Sequence, residues 1–135
     1  MIRIAVVEDE EYYVNQLTGY LNEYQKTEKE ELDITVYRDG DAVTAEYKSQ
    51  FDIILMDIQM KFVDGMTAAE EIRKMDSEVV IIFITNMTQY AIRGYEVDAL
   101  DYVLKPVSYF AFSQKLKRAV SRIKKRSSKY ITLAV

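Results

Sequence analysis

FDIILMDIQM, positions 51–60, decides the fold. After Phe51, the residues Ile53, Ile54, Leu55 and Met56 lead straight into Asp57. A short apolar run rich in branched side chains reads as a strand buried on both faces, as in a parallel sheet. A carboxylate at the end of such a strand is costly unless water, a partner charge or a metal compensates it. Taken alone, Asp57 reads equally well as a strand end that begins a turn. The rest of the chain separates these readings, because three further stretches also end an apolar run in a polar group.

Upstream, residues 2–7 form an apolar run that ends in Glu8, Asp9, Glu10 and Glu11. Acids of this kind suit a helix N-terminus. Val14, Leu17, Leu21 and Tyr24 follow at spacings of three, four and three, which predicts an amphipathic helix. A charged loop spans 25–31. Over 32–38 the residues Leu32, Ile34 and Val36 alternate inward, as on a strand with one exposed face. Asp39-Gly40-Asp41 reads as a turn and cap ahead of a short helix over 42–48.

Downstream, Asp64-Gly65 marks a turn, and 67–75 is a helix with Ala68, Ala69, Ile72 and Met75 on its apolar side. Residues 78–85 are the most hydrophobic strand and end in Thr85. A helix over 88–97 is weakened by Gly94, which costs about 1 kcal/mol against alanine. A fifth strand over 99–105 ends at Lys105, where Pro106 stops it. A long helix over 108–126 carries Phe112, Leu116, Ala119 and Ile123 on one stripe. Five strands alternating with five helices predict an α/β fold, a doubly wound parallel sheet with right-handed crossovers. Sites in such sheets lie at the carboxyl ends of the strands. Glu8, Asp9, Asp57, Thr85 and Lys105 all fall there.

Composition narrows the function. With 135 residues the chain is one domain of ordinary size. It has no cysteine, hence no disulfide framework, thiol nucleophile or cysteine-ligated metal. The lack of histidine excludes serine–histidine–aspartate catalysis and histidine metal sites. No apolar run is long enough to span a membrane, and the N-terminus turns acidic too soon for a signal peptide, so a cytoplasmic location is expected. Residues 1–114 carry all 22 acids and a net charge of −12, whereas 115–135 carry eight bases and no acid. That split suggests an acidic body with a basic C-terminal extension.

The set Glu8-Asp9, Asp57, Thr85 and Lys105-Pro106, each after its strand, resembles the receiver domain of bacterial two-component response regulators. The resemblance covers residues 2–126 and implies a flavodoxin-like five-stranded sheet of order 2-1-3-4-5. It implies that Asp57 is the phosphoacceptor, its carboxylate attacking phosphorus to give an acyl phosphate. Mg²⁺ (or Mn²⁺) is then expected on Asp9, Asp57 and the backbone carbonyl of Gln59, with Glu8 acting through a bound water. Lys105 and the Thr85 hydroxyl would contact the phosphoryl oxygens. Thr85 and Tyr102 would form a conformational switch, and the Lys105–Pro106 bond is expected to be cis. Glu8 stands where aspartate is commoner, Lys61 where proline is frequent, and Asn86 where a small residue is usual. The missing proline suggests a looser loop after Asp57.

The stretch 83–106, FITNMTQYAIRGYEVDALDYVLKP, resembles the LytTR class, in which a receiver precedes a β-rich DNA-binding domain. KYITLAV at 129–135 reads as the start of a strand. The expected division is a receiver over 1–126, then a linker and the start of a missing C-terminal domain over 127–135. The resemblance further implies a sensor histidine kinase as partner, homodimerisation on phosphorylation, DNA contact only through the missing domain, and no membrane. The chain is expected to promote only its own phosphorylation and dephosphorylation. Two alternatives stand beside this: a receiver-like interaction module that takes no phosphate, and a Mg²⁺-dependent phosphohydrolase. The second wants an Asp-x-Asp pair after its first strand, which Asp57-Ile58-Gln59 does not supply.

Overall fold

The computed structural model describes residues 1–86 and 98–134, with side chains through residue 126. Five strands form one sheet: β1 (Ile2–Val7), β2 (Leu32–Tyr37), β3 (Ile53–Met56), β4 (Val80–Thr85) and β5 (Asp101–Leu104). Their order is β2-β1-β3-β4-β5, and every pairing is parallel. The helices are α1 (Glu11–Glu28), α2 (Gly40–Ala45), α3 (Gly65–Met75) and a C-terminal helix, Tyr109–Ala134. The helix expected over 88–97 lies outside the described residues.

Strand alternation builds two cores. Ile4, Val6, Ile53, Leu55, Ile82 and Ile84 point to one face, under α1 and the C-terminal helix. Ala5, Val7, Ile54, Met56, Ile81 and Phe83 point to the other, under α2 and α3. This is why β3 and β4 read as unbroken apolar runs: both their faces are covered. Val14, Leu17, Leu21 and Tyr24 are the buried positions of α1, as their spacing predicts. Edge strand β2 keeps a more exposed face, with Asp33 and Thr35 outward.

Several boundaries differ from the sequence reading. Helix α1 runs four residues into the expected loop, to Glu28, and is capped by Lys29, which adopts a left-handed φ of 52° and donates its N–H to the Gln25 carbonyl. Met75, expected on the buried side of α3, is the last residue of that helix and is 49% exposed. The segment expected to begin a strand near 129 instead continues the C-terminal helix to Ala134. Extending a formed helix costs little, and apolar residues at 130, 131 and 134 keep the helical spacing after Ile123. The basic extension is also less free than its charge suggests. Lys117 pairs with Glu28 at 3.3 Å, Lys124 with Glu30 at 2.6 Å, and Lys115 with Asp101 at 2.9 Å. No helix among the described residues is long and apolar enough to cross a membrane.

Candidate functional site

Backbone ladder bonds carry the sheet one residue past its strands and thereby set the site. Glu8 N–H donates to the Tyr37 carbonyl at 2.9 Å, Asp57 N–H to Val7 at 3.0 Å, and Lys105 N–H to Thr85 at 3.0 Å. Since Val7 faces Met56 across the sheet, Glu8 and Asp57 emerge side by side. Lys105 reaches over them from the far strand. Its Nζ lies 2.8 Å from Glu8 Oε1 and 3.5 Å from Asp57 Oδ1. Glu8 Oε2 accepts the Glu10 N–H at 3.1 Å, and Asp57 Oδ1 accepts the Ile58 N–H at 2.9 Å.

These groups are buried: the Lys105 side chain is 6% exposed and that of Asp57 4%. Burial pushes the Asp57 carboxyl up to about 7, and the Glu8 charge adds to the rise against the opposing pull of Lys105. Glu8 is also raised, chiefly by burial. For Lys105, burial acts to lower the pKa, but the Glu8 hydrogen bond and the Asp57 and Glu8 charges outweigh it, so the ammonium is retained. One lysine therefore faces two buried carboxylates. Carboxylate oxygens of Glu8, Asp9 and Glu10 also lie within 4.8 Å of one another. The donor set is all oxygen, negative in excess and without a thiol or imidazole, which fits a small hard divalent cation.

The loop after Asp57 is held by residues whose contribution the sequence only partly announced. Asp39 caps α2 by accepting the Asp41 N–H at 3.2 Å, as its position predicts. The same carboxylate also accepts N–H bonds from Phe62 and Val63, each at 2.9 Å. The loop that lacks a proline at Lys61 is thus tied to α2 at two points. Burial works to raise the Asp39 pKa, yet the three N–H bonds outweigh it and the value lies below the usual carboxylate range. Gly65 N–H donates to the Ile58 carbonyl at 2.7 Å, and a Cβ there would lie 1.9 Å from the Asp57 carbonyl oxygen. Only glycine admits that approach of α3 to the end of β3.

Of the sequence-predicted residues, Lys105 contacts both Glu8 and Asp57, and Asp9 stands half-buried beside Glu8. Thr85 is buried at the end of β4. Gln59 is exposed two residues after Asp57. Tyr102 is half-buried, paired with Phe83 across the sheet with ring centroids 6.0 Å apart. The Lys105–Pro106 bond is cis. Sequence reasoning missed Tyr13, whose ring centroid lies 3.9 Å from Lys105 Nζ. Its place in the first turn of α1, directly after the acidic end of β1, was the available signal.

Comparison with known proteins agrees with this geometry. The family described as the response regulator receiver domain matches residues 4–117. Sensory transduction protein LytT of Bacillus anthracis is 37% identical over 120 residues, covering 87% of this chain and 47% of that protein. Transcriptional regulatory protein LytR of Staphylococcus aureus is 31% identical over 129 residues, covering 95% of this chain and 49% of that protein. The chain thus spans about half the length of these curated relatives. Among solved structures, response regulator TrrA of Thermotoga maritima, in complex with Mg²⁺ and beryllofluoride, superposes with a TM-score of 0.75 at 28% identity, covering 88% of this chain and 99% of that one. The response regulatory domain of mrkE from Klebsiella pneumoniae gives a TM-score of 0.80 at 25% identity over 92% of this chain and 99% of that one. The chain belongs to the response regulator receiver domain family, with LytT and LytR among its relatives.

Proposed function

We propose that this domain is a phosphorylation switch in which Asp57 accepts a phosphoryl group from a sensor histidine kinase. The observation that carries this reading is the charge balance at the end of β3: Asp57 is buried with Glu8 against a single lysine. The Asp57 carboxylate attacks phosphorus, and the leaving group departs on the opposite side. Lys105 sits where its ammonium offsets charge on the phosphoryl oxygens, and in this reading the Thr85 hydroxyl donates to the same group. Asp9, Asp57 and the Gln59 carbonyl would hold Mg²⁺, with Glu8 acting through water. When bound, Mg²⁺ neutralises the charge that gathers on the carboxylates and phosphoryl oxygens. Glu8 is already committed to Lys105, which favours an outer position for it. These 135 residues hold no histidine, which supports a phosphodonor outside them.

For output, the reading is that phosphate draws Thr85 inward and Tyr102 follows, favouring a homodimer through the β5 side of the domain, where Leu104 is half exposed. The relatives are about twice as long as this chain, which supports a DNA-binding half after residue 135 that such a dimer would align. The direct test is intact-mass spectrometry after incubation with acetyl phosphate. One phosphoryl group should be gained, and only with Mg²⁺. An unmodified mass under those conditions would support the phosphate-independent interaction module instead. Light scattering with and without Mg²⁺ and beryllofluoride tests the dimer, and an unchanged association constant removes that part alone. Sustained hydrolysis of a chromogenic phosphate ester would favour the phosphohydrolase.

A further inference from the structure

We infer that Tyr13 is a positioning residue for Lys105, its ring forming a roof that holds the ammonium over Glu8 and Asp57. A lysine ammonium is a compact charge on a flexible four-carbon stem, and something must fix it if it is to meet an incoming group at a set place. Its three N–H groups need partners once water is excluded. Glu8 Oε1 at 2.8 Å is a close ion-pair contact, and Asp57 Oδ1 at 3.5 Å is a longer one, beyond ordinary hydrogen-bond length. The remaining side meets the face of Tyr13, with Nζ only 3.9 Å from the ring centroid. That is well inside the roughly 6 Å reach of a cation–π contact. The Tyr13 ring is itself braced edge-on by Tyr12, with centroids 5.0 Å apart and planes at 90°.

The choice of a ring matters. A third carboxylate at this place would trap the ammonium in a directional ion pair and deepen the negative charge. An aromatic face attracts the cation without prescribing where its N–H bonds point. Lys105 can therefore redistribute its bonds from Glu8 toward phosphoryl oxygens while staying under the ring. Keeping water off one side of the ammonium also strengthens its field at those oxygens.

The kinetic part of this inference rests on Asp57 being the phosphoacceptor, whereas the contact itself does not. The test compares the full chain with Tyr13→Phe and Tyr13→Leu, with Tyr13→Met as a second ring-less variant should the leucine form fold poorly. NMR of the Lys105 ε-methylene reports the contact. Its protons should be shifted upfield by the ring current in the parent and Tyr13→Phe, and the shift should vanish in the ring-less forms. With acetyl phosphate at saturating Mg²⁺, the phosphorylation rate should fall roughly 3- to 10-fold without the ring and be restored by phenylalanine. Mg²⁺ affinity by calorimetry should stay the same, which separates positioning of Lys105 from general damage to the site. A ring-less variant that keeps the parent rate, or a phenylalanine variant as slow as leucine, overturns the inference. If the parent takes up no phosphate, the phosphoacceptor reading fails, and the ring-current comparison alone then upholds or overturns the placement of Lys105 by Tyr13.

Discussion

Asp52 and Asp57 flank the same four-residue strand, β3, and each faces a cation from another strand. Asp52, at the N-terminal end, accepts the Arg3 backbone N–H at 2.9 Å and the Arg3 guanidinium at 3.2 and 3.3 Å. Its backbone N–H donates to the Arg3 carbonyl, and its carbonyl accepts from Val80. Both side chains remain partly in water, at 46% for Arg3 and 23% for Asp52. Every demand of that carboxylate is met, and the pair joins strands. Asp57, five residues on, is buried beside a second carboxylate with one lysine between them. Residue type and strand are shared, so neither explains the difference. What differs is whether the surroundings balance the charge. An imbalance retained in a buried place marks that end of the sheet as the candidate site.

The sharpest way to break this comparison is to exchange each aspartate for asparagine. Asp57→Asn should lose phosphate incorporation altogether, because an amide is a poor nucleophile and a weak metal ligand. The same change should stabilise the metal-free domain at pH 8. The folded Asp57 pKa of about 7 lies above its ordinary 3.8, so the folded state holds a proton that the unfolded chain has released. Stability therefore falls as pH rises from near 4 to 7, and the full penalty is present above pH 7. Relief on the order of 1–3 kcal/mol should appear in urea unfolding of Asp57→Asn at pH 8.

Lys105→Ala works in the opposite sense. It leaves Glu8 and Asp57 buried without their cation, at a cost of about 3 kcal/mol at pH 8. Mg²⁺ should restore much of that loss, read as a larger Mg²⁺-induced rise in Tm than in the parent. Asp39→Ala should cost about 1–3 kcal/mol by leaving the Asp41, Phe62 and Val63 N–H groups unpaired. Because the folded Asp39 pKa is lowered, its contribution is present above the ordinary carboxylate range and is lost as pH falls through the folded value. Asp39→Asn should flatten the acid limb of the unfolding midpoint against pH. Asp52→Asn is the smallest change. A partly solvated pair contributes about 1 kcal/mol or less, and phosphate uptake should match the parent.

The contrast between the two aspartates was half legible in the sequence. Apolar runs ending in Glu8, Asp57 and Thr85 pointed to this end of the sheet, because β1, β3 and β4 are almost wholly buried and leave little alternation to misread. The edge strand β5 before Lys105 was marked by Pro106 instead. The spacing in α1 likewise announced its buried stripe. Local pattern could not show that Asp39, 18 residues before Asp57, would hold the loop beyond it, since that depends on how closely two loops approach. Glycine at Gly65 signalled a turn but not the Asp57 carbonyl lying against it. Tyr13 sits one place off the buried stripe of α1 and has meaning only once Lys105 arrives from a strand 92 residues away. The segment near 129 was misread because β-branched and apolar residues favour strands locally, while the helix already running into them favours its own continuation.

The most direct measurement locates the phosphate itself. Borohydride reduction of the domain after acetyl phosphate and Mg²⁺ treatment converts an acyl-phosphorylated aspartate to homoserine, which peptide mass spectrometry places by position. Conversion is expected at position 57 alone, with Asp52, Asp9 and Glu8 unchanged. Conversion at any of those three in place of Asp57 would contradict it.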